Sequence, residues 1–394
     1  MKMNVVVLGT LISEKNSDLF LKKGARYEPG DLVQKYILKA LGKYCGASLW
    51  MISSPRIESF PKCKLLRIKK EKFIYQTANC VSSSFLNIPF ISFISRKTNF
   101  VTECRRWAKE HMKEDILILV YSLNSTFLKG AIAINEIVSK SKICVIVPDL
   151  PIYMSNYRWP ISFFKKRDIK IISNLQKRIS KYVLYSHQMA DYLQLPENNY
   201  IVVEGFIDDE KINLKPKRIC HHKKICVYAG NLEPKYGIKD LINAFEDINV
   251  NAELHIYGND RPIQQYSLNK NTRYMGSLSP KDIFEVMKDC DLLINPRPSN
   301  LELTMYSFPS KTFEYMASGT PCVMCRLPGI PSEYYDYMYF FDEETPLGYK
   351  KTIERILSLS DEELCLMGHK AALFLANNKA SEKQIKRIID FTTK

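Results

Sequence analysis

A chain of 394 residues, 46% apolar and 25% charged, is long enough for two packed domains, and its composition excludes wholesale disorder, collagen and a small disulfide scaffold. It carries 57 Lys+Arg against 42 Asp+Glu, a formal net charge of +15, and no run reaches the roughly 18 apolar residues that a membrane-spanning helix needs. The excess is one-sided. Residues 1–200 have a net charge of +17 and residues 201–394 a net charge of −2, which points to a polyanionic partner for the first half.

The opening stretch, Met1 to Gly9, lacks a small-x-small cleavage site and reads as a buried first strand rather than a signal peptide, so a cytoplasmic location is expected. Short β-branched runs follow at Leu49–Ile52, Ile116–Tyr121, Ile143–Val147 and Tyr182–Tyr185. Helix-period segments lie between them at Asp31–Lys43, Asn99–Lys113 and Leu128–Ser139. Such alternation predicts βαβ units and a mostly parallel sheet. A polar stretch over 206–224 breaks the pattern, which then restarts. Strands are expected at Ile225–Ala229, Ala252–Tyr257, Leu292–Asn295 and Cys322–Met324, and helices at Ile238–Phe245, Pro280–Lys288, Pro309–Ala317, Asp361–Ala376 and Ser381–Ile389. The expected class is therefore α/β, with two doubly wound domains. The first covers 1–205 and the second 225–375, with 206–224 as linker and 376–394 as a last helix returning toward the first.

Basic residues concentrate in two places. Residues 62–72 interleave Lys62, Lys64, Arg67, Lys69, Lys70 and Lys72 with Leu65, Leu66 and Ile68. Residues 163–181 combine Phe163 and Phe164 with seven cations from Lys165 to Lys181. Apolar groups beside clustered lysines suit an anionic membrane surface better than a nucleic-acid backbone, and no nucleic-acid motif is present. The eleven cysteines, odd in number and scattered from Cys45 to Cys365, read as reduced and mostly buried. Cys322-x2-Cys325 has no second pair at zinc spacing, so no metal is expected. Cys220-His221-His222 reads as a surface loop.

In open α/β sheets ligands bind beyond the carboxyl ends of the strands, which singles out Gly9-Thr10, Pro148-Asp149, Gly230–Gly237, Gly258–Pro262 and Pro296–Ser310. Gly230 lets a ligand approach the backbone, Lys235 offers a cation and Gly237 turns the chain into a helix. Around residue 310, Ser307 reads as a helix N-cap and Pro309 as its first turn. Phe313, Met316 and Ala317 share a buried face, and Gly319 with Pro321 ends the helix. Ser310 and Lys311 then stand at a helix N-terminus, where amide dipoles and a cation favour a diphosphate. Glu314, one turn in, suits two adjacent ribose hydroxyls.

Taken together, Gly230…Lys235-Tyr236-Gly237, Tyr257-Gly258-Asn259, Tyr274-Met275-Gly276, Asp291…Pro296 and Phe308-Pro309-Ser310-Lys311…Glu314-Tyr315-Met316-Ala317-Ser318-Gly319-Thr320-Pro321 resemble the donor-binding domain of retaining glycosyltransferases of family 4, which have the GT-B fold of two Rossmann-like domains facing across a cleft. The likeness is strongest over 225–345. It implies a hexosyltransferase-type enzyme that takes a nucleotide-diphosphate sugar, UDP- or GDP-linked, without a metal or other cofactor, and transfers the sugar with retained configuration to a glycan or polyisoprenyl-diphosphate-linked acceptor, as in cell-surface polysaccharide biosynthesis. By the resemblance the catalytic candidates are Asp149, Lys235, Lys311 and Glu314, and the donor-binding ones Gly9, Thr10, Gly230, Asn231, Gly258, Met275, Gly276, Ser310 and Glu314. The chain departs from the family pattern in the second domain: the first glutamate of its Glu-x7-Glu motif falls on Tyr306, Asn231 stands where an arginine is common, and Lys235 is one residue earlier than the usual lysine. Asp149 matches the aspartate of a His-Asp pair whose histidine is Pro148 here. The alternatives are another GT-B enzyme, such as a nucleotide-sugar epimerase, and a non-catalytic basic adaptor for membrane or nucleic acid. The basic half further implies peripheral attachment at the inner face of the cell membrane.

Overall fold

The computed structural model describes residues 4–24, 29–153, 161–215, 222–258 and 263–393. They form two units, one of residues 1–206 with 381–394 and the other of residues 207–380. Met1 to Met3, Cys220 and His221, Asn259 and the loop to Pro262, and the side chains of Phe163 and Phe164 lie outside the description.

The first unit is built on an eight-stranded sheet of β1 (Asn4–Gly9), β2 (Leu49–Ser53), β4 (Glu71–Tyr75), β5 (Ala78–Ser82), β7 (Ile116–Tyr121), β8 (Ser141–Val147), β9 (Lys181–Leu184) and β10 (Tyr200–Val202). A separate two-stranded ribbon pairs β3 (Arg67–Ile68) with β6 (Phe85–Leu86). The order β10-β9-β8-β7-β1-β2-β5-β4 is parallel except for the antiparallel edge strand β4. Strands covered on both faces need apolar side chains on both, and β7, ILILVY, is buried at every position. The helix Ile91–Glu110 starts eight residues before the expected Asn99. The early turns escape a periodicity argument because their large apolar residues, Ile91, Phe93 and Ile94, are exposed while Ser92 and Ser95 meet the fold. The last helix, Ser381–Thr393, belongs to this unit: Arg387 donates to the Val202 carbonyl at 3.0 Å and Lys142 to that of Thr392 at 3.2 Å.

The second unit has six parallel strands in the order β13-β12-β11-β14-β15-β16: β11 (Lys224–Ala229), β12 (Ala252–Tyr257), β13 (Thr272–Gly276), β14 (Leu292–Asn295), β15 (Cys322–Met324) and β16 (Tyr339–Phe340). The chain runs outward from β11 to β13, returns to the other side of β11, and runs outward again. The crevice between the ends of β11 and β14 is therefore the topological switch point, where such sheets bind ligands. Asp291 ties the opposite, amino ends of these two strands: its buried carboxylate accepts the Ile225 N–H at 2.7 Å. The polar stretch expected as linker is part of this unit where it is described, because Asn213 bonds the Ala317 carbonyl at 2.7 Å and the Ser318 carbonyl at 3.0 Å.

The ten described cysteines are unbridged and all but Cys365 are buried. Burial pushes the Cys80, Cys144, Cys322 and Cys325 thiols up to about 12, which suppresses the thiolate that reactive chemistry needs. Among the described residues no group of three metal-ligating side chains converges, and no helix is long and apolar enough to cross a membrane.

Candidate active site

The sharpest construction lies at the switch point of the second unit. Helix Ser310–Ser318 follows β14 and begins at Pro309, whose φ of −67° and extended ψ make it the N-cap. Pro309 offers no side-chain cap. Ser307, the cap expected from sequence, is used elsewhere: the preceding turn Glu302–Met305 is itself helical, so the Ser307 hydroxyl folds back onto the Leu303 carbonyl at 2.9 Å and accepts from Arg297 at 3.3 Å. The first N–H groups of a helix have no intrahelical acceptor, and those of Ser310 and Lys311 find none among the described residues. Phe313, Met316 and Ala317 are buried, as their spacing predicts, and Phe313 meets Phe308 edge-on at 5.3 Å. Gly319 closes the helix at φ +74°, a conformation glycine adopts without strain.

Lys311 and Glu314 are left partly exposed by this packing. Burial holds the Lys311 ammonium below the usual lysine range, while the Glu314 charge pulls it back. No hydrogen bond or ion pair engages Lys311 among the described residues. A partly desolvated cation beside open amide donors is a site in want of an anion. Gly230 faces it directly: a Cβ there would fall 2.9 Å from Lys311 Cε and 2.6 Å from the Tyr228 hydroxyl.

Three glycines continue this rim along the carboxyl ends of β11, β12 and β13. Gly230 N–H donates to the Tyr257 carbonyl at 2.9 Å and Gly258 N–H to that of Gly276 at 3.0 Å, and the Tyr274 hydroxyl closes on the Gly258 carbonyl at 2.7 Å. A Cβ on Gly258 would sit 2.4 Å from the Gly230 carbonyl oxygen, so the strand ends pack as bare backbone. A Cβ on Gly276, at φ +83°, would meet nothing within 4 Å among the described residues, and Met275 is exposed beside it. Asn231 accepts the Glu233 N–H at 3.0 Å and shapes the loop, its side-chain oxygen already engaged. Lys235 is half exposed and lies 2.8 Å from Glu233, which raises its pKa. Of the two expected lysines, Lys311 is the one without an ion pair among the described residues.

Arg297 was not singled out by sequence reasoning. It follows β14 directly, inside the flagged Pro296–Ser310 loop, and reaches the Tyr236 ring at 5.8 Å and Ser307 at 3.3 Å. Its signal was positional: it is the first cation after the strand on the far side of the switch point.

Gly9, Thr10 and Asp149 lie in the first unit. Gln34, fully buried, accepts from the Thr10 N–H at 2.8 Å and donates to the Thr10 hydroxyl at 2.7 Å and the Gly30 carbonyl at 2.9 Å. Gly9 shares its register with Ser53, and Ser53 with Ser82. The hydroxyls of Ser53, Ser54, Ser82 and Ser83 are buried and have no partner among the described residues. Asp149 is exposed just past β8, near enough to Tyr185 to add to the burial that pushes that phenol up.

Residues 209–372 match the family model described as Glycosyl transferases group 1. The whole chain is similar in structure to Anabaena HepE in complex with UDP (TM-score 0.66, 15% identity, 99% of this chain and 100% of that one). It is likewise similar to the lipopolysaccharide outer core galactosyltransferase WaaB in its apo form (TM-score 0.64, 13% identity, 98% and 99%) and to sucrose-phosphate synthase from Thermosynechococcus elongatus (TM-score 0.64, 13% identity, 98% of each). No curated protein matches the sequence. The fold is thus GT-B, and residues 209–372 within it carry the sequence pattern of the glycosyl transferases group 1 model.

Proposed function

We propose that the protein transfers a glycosyl group from a nucleotide-diphosphate sugar, with retention of configuration and without a metal, to a glycan or a polyisoprenyl-diphosphate-linked acceptor at a membrane surface. The observation that carries this reading is the Lys311 ammonium, unpaired among the described residues, set beside the open N–H groups of Ser310 and Lys311 and against the bare backbone of Gly230. Breaking a sugar–phosphate bond places negative charge on the departing diphosphate. Preorganised donors in a site of low dielectric stabilise that charge more in the transition state than in the ground state. Lys311 and the two amides take the diphosphate, with Lys235 and Arg297 on the flanking loops, and Glu314 accepts from the ribose hydroxyls. Gly258, Met275 and Gly276 leave room for the base. HepE is described with UDP and with UDP-glucose, which favours a uridine donor. The acceptor is assigned to the first unit, where the exposed Asp149 is a partner for sugar hydroxyls. The leaving phosphate, held on the face from which the acceptor attacks, takes the acceptor proton, so no separate base is required.

A screen of UDP-, GDP-, ADP- and dTDP-sugars, read by thermal shift and by release of nucleotide, tests the assignment. A shift and slow hydrolysis with one family of donors is the expected result. Absence of any response to nucleotide diphosphates sinks it.

A further inference from the structure

The first unit gathers six of its exposed large apolar side chains in one place. Phe60, Leu66, Leu86, Phe90, Ile91 and Ile94 are all exposed, Phe90 by 65% and Ile94 by 67%. Backbone bonds gather them. β3 pairs with β6 through Arg67 and Leu86, Asn87 N–H donates to the Leu66 carbonyl at 2.7 Å, and Phe60 N–H donates to the Asn87 carbonyl at 3.0 Å. Ser95 bonds both backbone groups of Leu86, and the Ser59 and Ser92 hydroxyls lie 3.4 Å apart. Beneath lies a small buried cluster of Phe20, Cys63, Ile68 and Phe85, so the outer residues are a second apolar layer that the fold does not cover. Phe90 is held at φ +64° at the cap of helix Ile91–Glu110, a conformation that disfavours a bulky side chain.

Positive charge surrounds this layer. No acidic residue occurs between Glu71 and Glu103. Lys64, Arg67 and Lys69 are exposed on the adjoining ribbon, Arg96 stands over the Phe85 ring at 4.1 Å and Lys97 over the Phe93 ring at 5.6 Å. Burial and then the neighbouring Lys129 hold the Lys97 ammonium down to about 8, a sign of cations crowded together. The helix presents its positive end here with no side-chain cap and no acidic residue in its first turn.

We propose that this surface docks on a bilayer containing anionic phospholipid, with Phe90, Ile91 and Ile94 entering the acyl boundary and the ring of Lys and Arg meeting the headgroup phosphates. Apolar groups rimmed by cations fit that partner in both of its layers. Glu58 pairs with Lys62 at 3.6 Å and Lys70 meets Glu103, but Lys64, Arg67, Lys69, Arg96 and Lys97 leave the rim net positive, and a second copy of the same basic face would be repelled. The proposal gives a location to the membrane partner named above and is independent of the donor chemistry.

Sedimentation with vesicles of phosphatidylcholine, alone or mixed with phosphatidylglycerol, tests it on the 394-residue chain. Binding to the mixed vesicles only, weakened by salt, is expected. Phe90→Ser with Ile94→Ser should weaken it by about tenfold or more, and Lys64→Ser or Arg67→Ser by about fivefold each. The UDP thermal shift should persist in every variant. Wild-type protein left in solution at low salt overturns the proposal. So does undiminished binding by the double serine variant, or a wild-type dimer that this variant dissolves without losing vesicle binding. Vesicle binding with no response to any nucleotide diphosphate would instead sink the donor reading and leave this one standing.

Discussion

The two units share an architecture and differ in how they finish the carboxyl edge of their sheets. In the first, loop amides are satisfied from within: Gln34 takes the Thr10 N–H and Asp31 takes that of Ile12 at 2.9 Å. In the second, glycines strip side chains from the strand ends, and a helix begins with open N–H groups beside a lysine that has no ion pair among the described residues. One fold thus yields a braced edge and an edge prepared for an anion. The difference rests on a few side chains at strand ends rather than on topology.

The most severe way to break this comparison is Lys311→Ala. Removing a principal charge donor at a developing anion should lower turnover by about 100- to 1,000-fold, read as nucleotide release with the melting temperature unchanged. Near-normal turnover would make the second edge as inert as the first. Gly237→Ala probes the joint that brings the β11 and β14 loops together. Its φ is +78° and a Cβ would lie 2.1 Å from the Pro296 carbonyl oxygen, so a loss of about 2–3 kcal/mol in denaturant unfolding is expected. On the braced side, Gln34→Ala leaves the Thr10 amide and hydroxyl unmet and should cost about 1–3 kcal/mol. Unchanged UDP affinity would keep that brace structural, whereas weaker UDP binding would give the Gly9-Thr10 loop a part in holding the donor. The smallest effect concerns Glu253, which meets Lys223 at 2.7 Å, Arg273 at 2.8 Å and His255 at 3.2 Å. The hydrogen bond from Lys223 is the first cause of a carboxyl lowered from 4.5 to about 2. A carboxylate depressed on folding stabilises fully above its unfolded value and loses that support as pH falls through the folded one. Wild-type stability should therefore decline between about pH 4.5 and pH 2, and Glu253→Gln should be weaker at neutral pH with a shallower acid limb.

Most of the sheet frame was legible because buried parallel strands are apolar on both faces. Ile116–Tyr121, Ala252–Tyr257, Leu292–Asn295 and Cys322–Met324 fall on the observed β7, β12, β14 and β15. The ribbon of β3 and β6 was not legible. Its residues are interleaved with lysines, and its pairing is a contact across seventeen positions that no local period encodes. Residues 62–72 were noted for cations interleaved with apolar groups, but the apolar layer beside them, from Phe90 to Ile94, lay in a segment whose helix was placed too late. In the site, Lys311, Glu314 and the glycines could be named from position after a strand and around a helix start. That Lys235 meets Glu233, and that Arg297 approaches Tyr236, depends on side-chain reach across loops, which spacing does not report.

The first unit is discontinuous in sequence: residues 381–394 complete it. During synthesis all its strands emerge before the second unit, and the helix of residues 381–393 that packs on it follows only after that unit. The intervening unit is continuous and is free to finish earlier, reversing the usual amino-terminal-first order. A chain stopped at Ala380 would deprive the Val202 carbonyl of Arg387 and uncover the helix Pro29–Cys45, a lesion at the carboxyl terminus felt by the amino-terminal half.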